Sequence, residues 1–443
     1  MQDFKNAVEK HKQLILDAER WLWAHPETGY KEWESTKYIE EIFEDLGYQL
    51  VRAGDIPGFY TVIDTGRPGP EVLILAELDS VICPTHPECN PETGAVHACG
   101  HHAQGAALIG VAAALSEPGI LDKFCGRIKL CSVPAEELLE IEYRADLKEK
   151  GIIKYFGGKS EFLRRGYFDT TDVAFMVHAS TKFWVRSGSV GCMAKQVTYK
   201  GKAAHAGGAP HLGKNALYAA VNGLNAINSI RETFQEADII RVHPIITDGG
   251  QMVNAIPATA TIESYVRGSS FEGIAEANKR VNQALCGAAL SLNNNVDITD
   301  FPGYAPLINS EEMIDIATKA AQMIIPHQNF ERDYQMGSGS TDMGDLSSVM
   351  PVVQPYSGGS VGALHSADNY TVDPVAACVD SAKWQLAMLY LLCENGGERA
   401  FAIKENYEAP FASIPEYLDY MDALYDSGDR ITYNEDGTAT VRL

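Results

Sequence analysis

Positive charge is scarce in this chain. Its 443 residues carry 36 Lys and Arg against 59 Asp and Glu, a formal net charge of −23. That balance argues against nucleic acid or an anionic membrane surface as the main partner. A small anionic substrate stays open, since a local pocket can carry the opposite sign. Long apolar runs are lacking too. No stretch reaches the ~18 apolar residues of a spanning helix. No apolar run follows Met1-Gln2-Asp3-Phe4-Lys5, so no signal peptide is expected. Repeats and low-complexity tracts are absent. The nine cysteines are an odd number without regular spacing, which argues against a disulfide framework and for a cytoplasm with free or metal-bound thiols. Cys83 and Cys89 read as two free thiols rather than a loop disulfide or a second metal clip.

What is present is a globular composition, 45% hydrophobic and 21% charged, in a chain long enough for two domains. Residues 3–24 have the spacing of one amphipathic helix, with Phe4, Val8, Leu14, Ile15, Ala18 and Leu22 on a face. Strands are expected at Tyr60–Asp64 and Val72–Leu78, the second apolar enough to be covered on both sides. An Ala-rich helix follows at Ala103–Leu115, then a strand at Arg127–Val133, a charged helical insert near 140–165, and a strand at Asp172–Val177. This alternation predicts a mostly parallel, doubly wound α/β sheet. From about Ser187 the pattern changes to strand–helix–strand–strand–helix, the signature of a separate α+β domain of ferredoxin-like type. Helix–strand alternation resumes near Pro302–Pro306. The expected organisation is a catalytic domain in two parts, 1–188 and 305–443, interrupted by an inserted domain, 189–304.

Polar clusters gather at the carboxyl ends of the predicted strands: Glu77 and Asp79, Glu136 and Glu137, His178, with Cys99 and His101 on an adjoining loop. That edge of a parallel sheet is where ligands bind. Cys99-Gly100-His101 puts a thiol and an imidazole on one turn, soft and borderline donors suited to zinc or a similar ion. An isolated Cys-x-His more often marks a buried free thiol beside surface histidines, and the rest of the chain must decide. Cys99, His101, Glu137, His178 and His365 are too many for one tetrahedral site and too few for two separate ones. They fit a pair of divalent ions about 3.5–4 Å apart that share one ligand, zinc or manganese. Cys99 is the expected bridge, with His101 and His178 on one ion and Glu137 and His365 on the other. Taken singly, His178 and His365 would each more often be structural. Two adjacent carboxylates after a buried strand call for a cation. Glu136 is then the expected general base and Asp79 the residue that orients a ligating imidazole. His205, in Gly201-Lys202-Ala203-Ala204-His205-Ala206-Gly207-Gly208, is either an oxyanion-stabilising group or an exposed loop histidine. Asn254 and Arg267 are candidates for binding a substrate carboxylate, with surface salt bridging the plainer role of Arg267.

Taken together these motifs resemble the dinuclear-metal amidohydrolases and carboxypeptidases, the family of aminoacylase, glutamate carboxypeptidase and the auxin-conjugate and hippurate hydrolases. The resemblance is carried by Trp23-Ala24-His25-Pro26-Glu27-Thr28-Gly29, His97-Ala98-Cys99-Gly100-His101, Pro134-Ala135-Glu136-Glu137, Lys202–His211, Gly249–Pro257 and Gly339-Ser340-Thr341-Asp342. The last looks closest to aminobenzoyl-glutamate hydrolase subunits and β-alanyl dipeptidases. Where most branches carry a His-x-Asp motif this chain has Glu77-Leu78-Asp79, so His101 is expected to take over the coordination. The resemblance implies Glu136 as base, His205 assisting at the transition state, sometimes from a partner subunit, and Asn254 and Arg267 on the substrate carboxylate. It also implies a homodimer formed through the inserted lid domain. His102 stands where the hydrolase branch has Asp, and its place beside the metals gives it an expected bearing on substrate handling.

The function expected is hydrolysis of the amide bond of an N-acyl amino acid or small dipeptide-like substrate with a free carboxylate. The alternative is a non-catalytic metal-binding or regulatory protein that keeps the fold. A missing base or a broken ligand set would favour it, and the sequence shows neither.

Overall fold

The computed structural model describes residues Met1–Leu443. They form two compact units: Met1–Gly188 with Leu307–Gly337 and Asp342–Ile414, and Ser189–Pro306 with Ser338–Thr341 and Pro415–Leu443. No helix is long and apolar enough to cross a membrane.

The first unit is built on a six-stranded sheet in the order Val51–Arg52, Phe59–Asp64, Arg127–Val133, Glu71–Glu77, Val173–Phe175, Val352–Val353. The last four strands are mutually parallel, and the first two are an antiparallel edge. Every residue of Glu71–Glu77 is buried, as its unbroken apolar run requires of a strand covered on both faces. The helix His101–Leu115 is likewise buried along its whole length. Its small residues allow that. A Cβ on Gly110 would meet Ile15 Cδ1 at 2.6 Å, so the helix Lys12–Ala24 packs against it with almost no side chain between. The single helix expected over 3–24 is two, Gln2–Lys10 and Lys12–Ala24, separated at His11 (φ −100°, ψ 11°).

The second unit is an antiparallel sheet in the order Arg241–Val242, Thr259–Gly268, Gly191–Lys200, Asn295–Tyr304, Asp426–Asp429, with Ile245–Asp248 also paired to Thr259–Gly268. Alternate residues of Thr259–Gly268 are buried, the period-two pattern of a strand with one face packed on helices. Those helices are Ala216–Ile230 and Phe271–Ser291, which pack on one another and on the sheet. Side-chain caps start both: Asn215 accepts from Tyr218 N–H and Ser270 from Gly273 N–H.

One boundary needs correction. The expectation assigned all of 305–443 to the catalytic domain, but Pro415–Leu443 belongs to the second unit. The strand Asp426–Asp429 pairs with Asn295–Tyr304 from Asp297↔Asp429 to Asp300↔Asp426, and buried Arg430 donates to Ile298 O at 2.8 Å. The backbone groups along that edge strand need partners, and the end of the chain supplies them.

Candidate metal centre

Parallel pairing aligns the ends of the strands that carry the chemistry. Glu77 lies opposite Val133 in the register of Glu71–Glu77 with Arg127–Val133, so Asp79 and the Pro134–Glu137 turn emerge side by side. His178 comes just after Val173–Phe175, a strand of that sheet, and begins the short strand His178–Ala179, which pairs with Tyr356–Ser357 in another sheet. Cys99 and His101 arrive from the loop before the buried helix. Gly100 between them has φ 94°, and a Cβ there would meet Ala179 Cβ at 2.7 Å. Only glycine makes that turn against that neighbour.

Three groups of donor atoms result, each with its members within 4.8 Å: Cys99, His101 and His178; Cys99, Glu137 and His365; Glu77, His101 and Glu136. Cys99 is common to the first two and His101 to the first and third. The five residues expected as ligands are thus brought together, with Glu136 and Asp79 among them. The imidazoles are oriented from behind. His101 Nδ1 lies 2.8 Å from Asp79 O and 3.1 Å from Asp79 Oδ1, and His178 Nδ1 lies 2.7 Å from Ala179 O. Both Nδ1 atoms therefore donate, so each Nε2 faces the cluster and offers a lone pair once its own proton has left. His178 Nε2 is 3.5 Å from Cys99 Sγ. His365 sits at φ 62°, with its N–H bonded to Ala98 O at 2.8 Å and its Nε2 2.9 Å from Glu137 Oε1.

The residues fit divalent cations. His101 Nε2 and Glu137 Oε1 are buried and make no hydrogen bond. Yet His101 Nε2 is 3.2 Å from Glu77 Oε2, and Glu137 Oε1 is as near to His365 as stated. Buried donor atoms facing one another at that range without hydrogen-bond geometry are what a shared cation resolves. The thiol agrees. Burial and the Glu137 charge push Cys99 up, but His101 and His178 outweigh them and bring it down to about 6. Burial, with the charges of Glu77 and Glu137, raises the Glu136 carboxyl well above its ordinary range. A carboxylate held this way takes up a proton readily.

Three features escaped the sequence. Lys159, fully buried, reaches Glu77 Oε1 at 2.6 Å and also the Asp342 carboxylate, while Gln104 Nε2 donates to Glu77 Oε2 at 2.8 Å. Glu77 is thereby held by a cation of the protein itself. Glu32 and Arg144 both bond the backbone of the Glu136–Glu137 turn. The only local signal for Lys159 is a lysine placed before the apolar pair Phe162-Leu163. Its partners lie 82 and 183 residues away, beyond any local pattern. The third concerns His102, which does not face the donor cluster as an open pocket residue. It is 1% exposed, 3.1 Å from Thr371 Oγ1 and 3.5 Å from Glu19 Oε1, edge-on to Trp23. His86 Nε2 likewise meets Asn369 O at 3.1 Å. Both histidines fasten the hairpin Ser360–Val361/Tyr370–Thr371, whose loop presents His365. These contacts give His102 a structural role beside its expected effect on substrate handling.

The remaining candidates belong to the second unit. His205 is exposed and bridges to Ala255, and Ala206 N–H bonds Asn254 O at 2.9 Å, so the segments that carry His205 and Asn254 lie side by side. The His205 Nδ1 accepts from Gly207 and Gly208 N–H at 3.2 and 2.9 Å, which leaves the proton on Nε2. Arg267 stands apart on Thr259–Gly268, its guanidinium 5.6 Å from the Tyr265 ring centroid.

Residues 73–390 match the Peptidase family M20/M25/M40, and the chain belongs to that family. It is a hydrolase, as the motifs implied. The Xaa-Arg dipeptidase of Mus musculus is 28% identical over 401 residues, covering 87% of this chain and 84% of the mouse protein. A p-aminobenzoyl-glutamate hydrolase polypeptide of Escherichia coli K12 is 27% identical over 305 residues, covering 66% of this chain and 58% of its own. In fold, the chain is similar to a dinuclear metal-binding peptidase of family M20 from Bacillus subtilis, with a TM-score of 0.63 and 18% identity over 87% of this chain and 99% of the other.

Proposed function

We propose that the chain is a metal-dependent amidohydrolase that cleaves the amide bond of N-acyl amino acids or small dipeptide-like substrates bearing a free carboxylate. The observation that carries this reading is the convergence of three donor groups on Cys99 and His101 with the raised carboxyl of Glu136 beside them. Cys99 would be shared by two divalent ions, zinc or manganese, with His101 and His178 holding one and Glu137 and His365 the other. When bound, divalent ions lower the pKa of a water toward ~7 and polarise the scissile carbonyl. Glu136 takes the proton of the attacking water on its carboxylate and passes it to the leaving amine nitrogen. Asp79 keeps His101 in one tautomer. His205, with its proton on Nε2, donates to the developing oxyanion, and Asn254 and Arg267 hold the substrate carboxylate. The Xaa-Arg dipeptidase and aminobenzoyl-glutamate hydrolase relatives support this substrate class.

We read the second unit as a ferredoxin-like lid and dimerisation domain inserted at about 189–304. Its strand order with two helices on one face supports the first part. Exposed Tyr218 and Val221 on the helix Ala216–Ile230 and Ile245 on an edge strand support a homodimer. A working thiolate at Cys99 suits the reducing cytoplasm.

The test is hydrolysis of a panel of N-acyl amino acids and dipeptides with zinc or manganese supplied, comparing wild type with Glu136→Gln. Release of free amino acid by the wild type and a loss of at least ~10²-fold in the variant are expected. Equal rates would sink the assigned mechanism, and fewer than about one ion per chain would favour the non-catalytic alternative.

A further inference from the structure

Glu136 and Glu137 are adjacent in sequence yet serve different donor groups, one with Glu77 and His101 and the other with Cys99 and His365. Neighbours on an extended strand would point to opposite faces of the sheet. The chain avoids this at Ala135, which leaves the strand Arg127–Val133 and Pro134 in the left-handed region at φ 58°. That conformation is strained for any residue with a Cβ and persists only where the surroundings enforce it.

The surroundings are specific. Fully buried Glu32 accepts the Ala135 N–H on Oε1 at 2.7 Å. Glu32 is itself anchored as the residue before the helix Trp33–Asp45, its carbonyl accepting from Thr36 N–H at 3.0 Å. Gly158 N–H donates to Ala135 O at 3.2 Å, Asp79 Oδ2 accepts from Glu137 N–H at 2.7 Å, and Arg144 donates to Glu137 O. Two glycines make room. A Cβ on Gly29 would lie 3.0 Å from Ala135 Cα, and one on Gly158 would lie 1.7 Å from Pro134 O.

We propose that Glu32 is a positioning residue for amide hydrolysis: its bond to the Ala135 N–H holds the left-handed turn that brings both Glu136 and Glu137 to the one cluster, each against its own donor group. Among the braces of the turn it alone acts on the N–H of the strained residue. The inference rests on the reading of Glu136 as base and Glu137 as ligand.

The experiment measures kcat, KM and metal content of the metal-loaded enzyme for E32A, E32Q, A135G, E32A/A135G and E136Q, with hydrogen exchange at the Ala135 amide. E32A should lower kcat by about tenfold or more with KM within about twofold, and should speed Ala135 exchange. E32Q keeps the acceptor and should stay near wild type. A135G alone should also stay near wild type. The double variant E32A/A135G should regain most of the lost kcat, because glycine adopts the left-handed turn without the brace. Wild-type kcat in E32A, or a double variant no faster than E32A, would overturn the proposal. Failure of E32A to fold while the double variant folds supports it; failure of both with E32Q intact overturns it in favour of plain core stability. If E136Q turns over like wild type, the base reading fails independently. If E136Q is inactive and E32A is unimpaired, only the brace fails.

Discussion

Asp79 binds His101 and the backbone of Glu137 through one side chain: Oδ1 lies 3.1 Å from His101 Nδ1, and Oδ2 accepts Glu137 N–H at 2.7 Å. A residue at the end of one strand thus orients donors in two different groups. Asp79→Asn replaces one carboxylate oxygen by an N–H₂ that clashes with either Nδ1–H or Glu137 N–H. Metal affinity should fall by about 10–100-fold, read by competition with a chromophoric chelator. Wild-type affinity in the variant would remove Asp79 from the centre.

The two neighbouring histidines should separate cleanly. His101→Ala is expected to lose one ion per chain by elemental analysis. His102→Ala cuts the contact to Thr371 and should lower thermal stability. A buried hydrogen-bonded group of this kind is worth about 1–3 kcal/mol. A changed substrate preference in His102→Ala with unaltered stability would leave it only the role that sequence reasoning expected.

Loading metal should release protons. Burial lowers the His365 imidazole, but the Glu137 carboxylate outweighs it and carries the metal-free group up to about 11. His101 is also raised: burial lowers it, and the Cys99 and Glu77 charges overcome that. The His365 imidazole is therefore protonated near pH 8 before metal arrives, whereas Cys99, at about 6, is already thiolate. Ligands must be deprotonated to bind, so affinity should rise with pH above about 8, and below about 6 Cys99 adds a further proton. Titration calorimetry in two buffers of different ionisation enthalpy reads the number released. No dependence on buffer would contradict the assignment of His365 as a ligand.

Lys159 should be costly to remove. It is the cation between Glu77 and Asp342, all three buried. Lys159→Met leaves two carboxylates buried against Glu136, and breaking a buried pair this way costs about 3–5 kcal/mol. Denaturant melting of the metal-free protein should show a loss of that size. The double variant with Asp342→Asn should recover part of it. A loss below about 1 kcal/mol would mean that water or a rearranged side chain already satisfies the carboxylates.

By itself the amino-acid sequence determined the α/β alternation and the strand ends from which Asp79, Glu136, Glu137 and His178 emerge, because burial writes a period into the chain that any window of residues shows. It also carried the family, through motifs whose spacing is local: Cys99 and His101 on one turn, Glu136 beside Glu137. Partners are another matter. Lys159 with Asp342, Glu32 with Ala135, and Asp426–Asp429 against Asn295–Tyr304 are joined across 103 residues or more. A buried lysine and an exposed one look alike in sequence until the carboxylates that neutralise it are known. The same holds for Ala135, whose left-handed turn no propensity predicts, and for His102, whose neighbour in sequence is a metal-site donor while its partners are Thr371 and Glu19. Only the tertiary structure decided these, because hydrogen bonds and ion pairs act over a few ångströms of space irrespective of how much chain lies between their ends.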